Sequence, residues 1–151
     1  MATRGFEFAY SLAGNAATPV IQDFVLGETT AYKVGDLCLI QSDGYMDKVT
    51  NTTTEVTAVM MEAVAVGVAG TTEAKAAIVT RDQVWRCSSD ASTASTALVG
   101  TIKTLDTADA NTIDASDITN GGMIVLDKSE TDSDGNLIFK VVFSDTTFGN
   151  A

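Results

Sequence analysis

The sequence predicts a mostly-β fold: a small single domain with a β-barrel or β-sandwich core. Short runs of alternating or β-branched residues recur along the chain, about nine in all, and turn residues such as Gly, Asp and Ser separate them. No segment shows the apolar spacing of three and four residues that an amphipathic helix requires. A chain of 151 residues is long enough for one core, which would bury roughly 68–70% of the unfolded surface.

The N-terminal segment carries three alternating aromatic residues. Phe6, Phe8 and Tyr10 fall on one face of an extended chain, and a stretch of small residues then leads to the only proline. This pattern predicts an extended N-terminal arm over residues 1–18 that packs on something outside its own domain, followed by a β-barrel domain over residues 19–151. An ordinary edge strand of the same domain is an equal alternative for the aromatic segment.

The first half of the domain predicts a series of short strands. Residues 19–28 and 31–40 are strand candidates, with a tight turn at 33–36. The Ser-Asp-Gly at 42–44 closes a hairpin onto the strand that follows. In residues 63–69, valines alternate with Ala and Gly, which predicts a further strand with the valines on one face.

The second half predicts two strand pairs separated by a long loop. Residues 75–87 form two short strands around a bend at residues 82–83. The region at about 88–121 is poor in large apolar side chains. Two of its segments could each form a weak helix, but the composition favours long surface loops. The closing hairpin should turn one regular apolar stripe inward, made of Leu137, Phe139, Val141 and Phe143.

The charge balance narrows the classes of partner. The chain has 20 Asp plus Glu against 9 Lys plus Arg, a net charge of -11. Nucleic acid and anionic membranes are therefore disfavoured, because their binding requires clustered basic residues. Cationic small molecules and basic protein surfaces stay open as partners. The absence of histidine removes the commonest general base and metal ligand.

Cys38 and Cys87 predict two small buried residues, with a disulfide as the alternative. The N-terminus lacks the continuous apolar stretch of a signal peptide, and no apolar run approaches the length of a spanning helix. We therefore expect the chain to be made and folded in a cytosol.

Three groups of residues are candidates for chemistry. Trp85 is either a core residue at a strand end or a binding hot spot. The acidic run at 106–117 predicts a solvated loop, with acid–base catalysis as the less favoured alternative. The carboxylates at 130–134 resemble the start of a calcium loop, but Val141 stands where a bidentate Glu is required. No phosphate loop, GxGxxG or GxSxG is present, so we expect no enzyme, no cofactor and no metal.

The order of segments resembles that of the tailed-bacteriophage capsid decoration, or cement, proteins. The similarity covers roughly residues 19–144 and includes Gly35-Asp36-Leu37, which opens a strand. It runs through "PVIQDFVLGETTAYKVGDLCLIQSDGYMDKVT", "AVAVGVAG", "KAAIVTRDQVWRC", "GGMIVLD" and "NLIFKVVFS".

The resemblance implies a β-barrel of the tulip type and a mechanical role without catalytic residues. Proteins of this family bind the outside of the expanded capsid as trimers, at three-fold and quasi-three-fold positions. The implied partners are the major capsid protein and other copies of the chain, and the implied location is the virion exterior after synthesis in the host bacterial cytoplasm. The expected capsid or protomer contacts are Phe6, Phe8, Tyr10 and Trp85.

Other functions are weighed against this one. A carbohydrate-binding or adhesin-like module of a head fibre or tail would use Trp85 and Tyr45 to stack sugars. A small hydrolase would need a buried carboxylate within the acidic run at 106–117.

Overall fold

The structure is a computed structural model of the chain. It describes residues 5–13, 18–49, 55–91, 102–103, 112–115 and 122–146. These ranges contain twelve strands and no helix, which confirms the prediction of a mostly-β fold. In chain order the strands are β1 (Glu7–Ser11), β2 (Ile21–Val25), β3 (Leu37–Ile40), β4 (Met46–Lys48), β5 (Glu55–Val56), β6 (Ala58–Met60), β7 (Glu73–Ile78), β8 (Gln83–Ser88), β9 (Ile102–Lys103), β10 (Met123–Thr131), β11 (Leu137–Phe143) and β12 (Asp145–Thr146).

The strands form two five-stranded sheets. The first sheet has the order β1-β8-β11-β10-β9 and the second has the order β2-β7-β6-β3-β4, while β12 and β5 form a separate parallel pair. All pairings within the two large sheets are antiparallel. The sheets do not close into a barrel. Between β7 and β8 the chain passes from one sheet to the other, so these two strands are not a hairpin.

The principal core lies between the two sheets. Trp85, Phe139 and Phe143 enter it from the first sheet, and Val59 and Ala77 enter it from the second. All five are buried. Because consecutive residues of a strand point to opposite faces, the aromatic stripe predicted for β11 faces this core. The inward stripe of the closing hairpin is thus confirmed.

The second sheet is covered on its other face as well. Phe24, Leu26, Tyr32, Cys38 and Met46 are buried there and form a second apolar cluster. The predicted hairpin closed by the Ser-Asp-Gly turn is β3 paired with β4. Burial on both faces explains why the strands of this sheet combine apolar runs with small residues.

Both cysteines are free and buried, as the simpler of the two interpretations predicts. Cys38 belongs to the second cluster and Cys87 to the principal core, so the two thiols lie in different apolar environments. Burial, assisted by Asp36, raises the pKa of the Cys38 thiol well above its ordinary value.

The N-terminal aromatic segment belongs to the first sheet. β1 pairs with β8, with a bulge between Phe8 and Tyr10, and the amide of Phe6 donates to the carbonyl of Gly35 at 2.9 Å. Of the two alternatives for this segment, residues 5–13 agree with an edge strand of the same domain and not with an arm that packs outside it. The boundary at residue 18 stays a prediction.

The predicted strand at residues 63–69 is wrong. Val64 makes one isolated bridge to Tyr32, and the rest of the segment is a loop. The amides of Gly67 and Ala69 donate to Thr30 and Thr29, and that of Val68 donates to Thr72. Val66 and Val68, expected on a core face, are 68% and 59% exposed. Alternation of side chains does not show which backbone groups lie nearby to form hydrogen bonds. The pattern alone therefore could not distinguish this loop from a strand.

The region at about 88–121 is described only in part. Ser89 bridges to Ile113, and Ile113 and Ala115 are buried in the principal core. Ile113 and Ala115 are therefore not part of a surface loop of the kind that the composition predicts. Residues 92–101, 104–111 and 116–121 lie outside the described residues.

The turn of the closing hairpin is organised by Asp132. Its Oδ1 accepts the amides of Asp134 and Asn136, each at 2.9 Å, and Gly135 has a φ of 82°. An aspartate that binds the backbone two residues ahead is a common turn device. These bonds give Asp132 a structural role, in which its carboxylate holds the backbone of the turn.

Asp47 on β4 offers a test of the electrostatics of the second sheet. Burial, followed by the charges of Glu28 and Asp43, raises the pKa of Asp47 above its ordinary 3.8. Asp47 therefore loses its proton at lower pH in the unfolded chain than in the folded chain. Its ionisation lowers the free energy of unfolding above pH 3.8 and has no effect on it well below that pH. We expect Asp47→Asn to raise the free energy of unfolding at pH 7, and the gain to vanish at strongly acid pH.

Urea unfolding at several pH values measures this. The matched control is Asp23→Asn, because Asp23 is exposed and pairs with Lys75 at 2.9 Å, so its replacement offers no such gain. A loss of stability in Asp47→Asn at pH 7 would show that the carboxylate is favourably solvated or bonded in the folded state.

Candidate interaction site

The four residues predicted to contact a partner lie at or near β1, but only one is well exposed. Phe6 is buried, with its ring centroid 5.7 Å from that of Phe143. Phe8 is half-buried and meets Trp85 edge to face at 5.6 Å. Trp85 is itself buried, and Tyr10 is 44% exposed.

Trp85 is held in the core by one polar contact. Its indole N–H donates to Oε1 of Gln83 at 3.2 Å, and the same oxygen accepts the amide of Thr80 at 3.0 Å. The Gln83 side-chain amide in turn donates to the carbonyl of Ile78 at 3.2 Å. Trp85 is therefore a core residue, and its buried ring leaves no face open for stacking a sugar.

Three of the four predicted residues nevertheless line one surface feature. An open groove with a volume of about 380 Å³ lies between β1 and β2, which are edge strands of the two different sheets. We call it the edge groove. Its lining residues are Phe6, Glu7, Phe8, Thr18, Pro19, Ile21, Val34, Met61, Ala77 and Trp85.

The edge groove is almost entirely apolar. Glu7 and Thr18 are its polar residues, whereas Ile21, Val34 and Met61 are 54%, 56% and 43% exposed around it. A small-molecule site usually has several convergent polar groups that orient the ligand. Exposed apolar residues gathered at one place are instead typical of a surface that contacts another protein.

Sequence reasoning missed Ile21, Val34 and Met61. Ile21 and Met61 lie in short apolar runs, and such a run alone does not show whether its strand is at an edge, whereas Val34 lies in the predicted turn at 33–36. The one available signal is the turn at 33–36, because a large aliphatic residue within a tight turn is poorly placed to reach a core. The exposure of Ile21 follows from the position of β2 at the end of its sheet.

A second apolar surface lies on the loop at residues 63–72, which we call the valine loop. It contains Val66 and Val68 and carries no charged residue. The ring of Tyr45, 38% exposed, lies beside it, since a Cβ at Gly70 would be 3.3 Å from the Tyr45 hydroxyl. Hydrogen bonds hold the loop, among them Val68 amide to Thr72 Oγ1 at 2.7 Å.

The outer face of the first sheet is charged but internally paired. Arg86 lies 3.2 Å from Glu130 and 3.8 Å from Glu7, while Lys140 lies 3.2 Å from Glu130 and 3.7 Å from Asp127. The bond to Glu130 raises the pKa of Lys140. These basic groups are already occupied by carboxylates, so this face is a weak candidate for binding an anion.

The structure adds no support for the candidate catalytic and metal sites. Of the acidic run at 106–117, Asp114 is described and Asp106, Asp109 and Asp117 lie outside the described residues. Over the described ranges, no group of three or more His, Cys, Asp or Glu side chains is placed to hold a metal ion. Nor does the described part of the chain contain a helix long and apolar enough to cross a membrane.

Comparison of the chain with protein-family models, with curated proteins and with solved structures finds no match.

Proposed function

We propose that this chain is a structural virion protein that binds the outer surface of the expanded capsid of a tailed phage. In this proposal it acts as a homotrimer at three-fold and quasi-three-fold positions, contacts the major capsid protein, and catalyses no reaction. It is made in the host bacterial cytoplasm and resides on the capsid exterior. A protein that binds only the expanded shell stabilises that state by mass action, multiplied over many copies.

The observation that carries the proposal is the presence of exposed apolar side chains around the edge groove of an otherwise acidic chain. Monomeric soluble proteins rarely gather such residues at one place, and contact surfaces combine an apolar centre with a polar rim. The identity of the partner rests on the sequence resemblance over residues 19–144. Of the fold that this resemblance implies, the structure has the small β domain but not a closed barrel.

The alternative is a carbohydrate-binding or adhesin-like fibre or tail module. Its principal residue, Trp85, is buried, and Tyr45 is the remaining exposed aromatic of the pair. Sugar binding commonly uses an open aromatic face, so the burial of Trp85 weakens the carbohydrate-binding alternative.

Cosedimentation tests the proposal. The labelled chain is mixed with expanded shells of its source virus from which surface proteins have been stripped, and bound copies are counted per particle; unexpanded shells are the control. We expect hundreds of copies on expanded shells, saturating in multiples of three per site, and little binding to the control. A handful of copies would instead indicate a fibre or tail component, and no binding at all would reject a capsid role.

A further inference from the structure

A short segment after β11 ties the first sheet to the second. The chain passes from the second sheet to the first between β7 and β8, and it returns when β11 continues into β12. β12 pairs in parallel with β5, and β5 leads through Thr57 into β6 of the second sheet. We call residues 144–146 the strap, because they join the end of one sheet to the chain of the other.

Arg81, on the connection between β7 and β8, holds the backbone of the strap. Its Nε and Nη2 donate to the carbonyl of Ser144 at 3.1 and 2.7 Å. Both donors belong to one charged guanidinium group, and hydrogen bonds from a charged donor are stronger than those between neutral groups. The amide of Ser144 also donates to the carbonyl of Gly122 at 2.7 Å, next to the start of β10. The two passages of chain between the sheets are thus fastened to each other.

The strap borders the principal core. Thr146 has no exposed surface, and it pairs with Val56, which is 2% exposed. Val56 and Phe143, the residue before Ser144, both belong to the principal core. Departure of the strap would therefore give water access to these two apolar side chains.

The strap is the less securely held of two closures between the sheets. β12 and β5 are two residues each, and Arg81 is exposed, so water competes for its bonds. At β1 the closure is made by backbone alone: the Phe6 amide donates to the carbonyl of Gly35 at 2.9 Å. Local opening begins in segments whose hydrogen bonds are few and exposed to solvent.

We propose that the strap is a releasable closure of the principal core and that Arg81 is the latch that holds it in place. Release breaks the pairing of β12 with β5 and the two bonds to Ser144, while the ladders of the two five-stranded sheets stay intact. The protein thereby has a closed and an open state without global unfolding, and a ligand that binds only the open state favours it. The proposal concerns the chain alone and does not rest on the capsid role.

The latch depends on the shape of the guanidinium group as well as on its charge. Lysine keeps the charge, but its compact ammonium on a flexible stem does not reproduce two bonds from a rigid fork. Glutamine removes the charge as well. We therefore expect Arg81→Lys and Arg81→Gln both to release the strap more often, with the larger effect in Arg81→Gln.

Thiol labelling of the full chain tests this. Thr146→Cys places a buried thiol in the strap, and two native thiols serve as internal references. Cys38 reports on the second apolar cluster, and Cys87, which pairs with Phe139 in the middle of β11, reports on the rest of the principal core. Modification by iodoacetamide without denaturant is followed at each thiol by mass spectrometry of the peptides.

In the Thr146→Cys chain, we expect the thiol at position 146 to react faster than Cys38 and Cys87. Adding Arg81→Gln should raise the rate at position 146 about tenfold, because a hydrogen bond to a charged group contributes an amount of this order. The rates at Cys38 and Cys87 should stay unchanged, since the two sheets remain folded.

Lys128→Gln is the matched control, because Lys128 is exposed on the first sheet and its replacement removes the same charge. We expect it to leave all three rates unchanged. If Thr146→Cys does not fold by circular dichroism, hydrogen exchange of residues 55–56 and 145–146 gives the same comparison with the native Thr146 in place.

Four results would overturn the proposal. A rate at position 146 no higher than that at Cys87 would mean that the strap opens only when the whole protein unfolds. Equal acceleration of all three thiols by Arg81→Gln would mean that Arg81 stabilises the entire fold. An unchanged rate at position 146 in both Arg81 variants would show that Arg81 is not the latch, and an equal effect of Lys128→Gln would assign the change to net charge.

Discussion

Replacing Phe139 by alanine is expected to lower the free energy of unfolding by about 3–5 kcal/mol. Phe139 lies in the middle of β11, which pairs on both sides with β8 and β10. Its side chain has no exposed surface and packs in the principal core, where Trp85 and Val141 are its neighbours in the cluster. A central strand paired on both sides leaves little freedom to collapse around the missing ring, so the cost of the cavity adds to the lost burial.

Urea unfolding followed by tryptophan fluorescence measures this loss, because the single Trp85 reports on the same core. The matched control is Tyr10→Ala in the same sheet. Because Tyr10 is 44% exposed, removal of its ring loses less buried apolar surface than removal of the Phe139 ring. We expect the control to cost about 1 kcal/mol or less. Equal losses in the two variants would show that the inward stripe of β11 is not the centre of the core.

The second large effect is expected at Gly35, where alanine should cost about 3–5 kcal/mol through strain and overlap together. Gly35 has a φ of 90°, a conformation that a side chain disfavours. A Cβ there would also lie 2.5 Å from the Cα of Gly5 and 2.7 Å from the amide nitrogen of Phe6. Both neighbours are backbone, so relief requires the segment leading into β1 to move and the Phe6–Gly35 hydrogen bond to break.

Gly44→Ala is the control for the dihedral strain alone. Gly44 has a nearly identical φ of 88°, and a Cβ there would meet nothing within 4 Å. The control should therefore cost about 1–2 kcal/mol, and the difference between the two variants measures the close approach of residues 5 and 35. Hydrogen exchange of the β1 amides should rise in Gly35→Ala only. Equal unfolding midpoints for the two alanine variants would mean that β1 is not tightly docked.

Several elements are predictable from local pattern alone. The closing hairpin, with Phe139 facing the core, follows from the apolar residues at every second position of β11 and from the Asp-Gly turn before it. The β3–β4 hairpin follows from the Ser-Asp-Gly turn in the same way, because the conformation of a tight turn depends on its own few residues. The burial of both cysteines also agrees with the general behaviour of free thiols.

The candidate site was predictable only in part. The aromatic residues of β1 were singled out from their spacing, and two of them, Phe6 and Phe8, do line the edge groove together with Trp85. Their exposure was not predictable: Phe6 and Trp85 form the buried floor, and the accessible rim is aliphatic. Aliphatic residues in a strand-like run carry no signal that separates a core position from a rim position.

The sequence by itself determined the β class, the two hairpins, the acidic charge and the inward stripe of β11. Tertiary structure alone decided which strands became edges, that β7 and β8 belong to different sheets, and that Val66 and Val68 face outward. The physical reason is range: turns and alternation depend on neighbouring residues, whereas an edge, a groove or an exposed loop depends on what the rest of the chain leaves uncovered. The edge groove, on which the proposed function rests, is of this second kind.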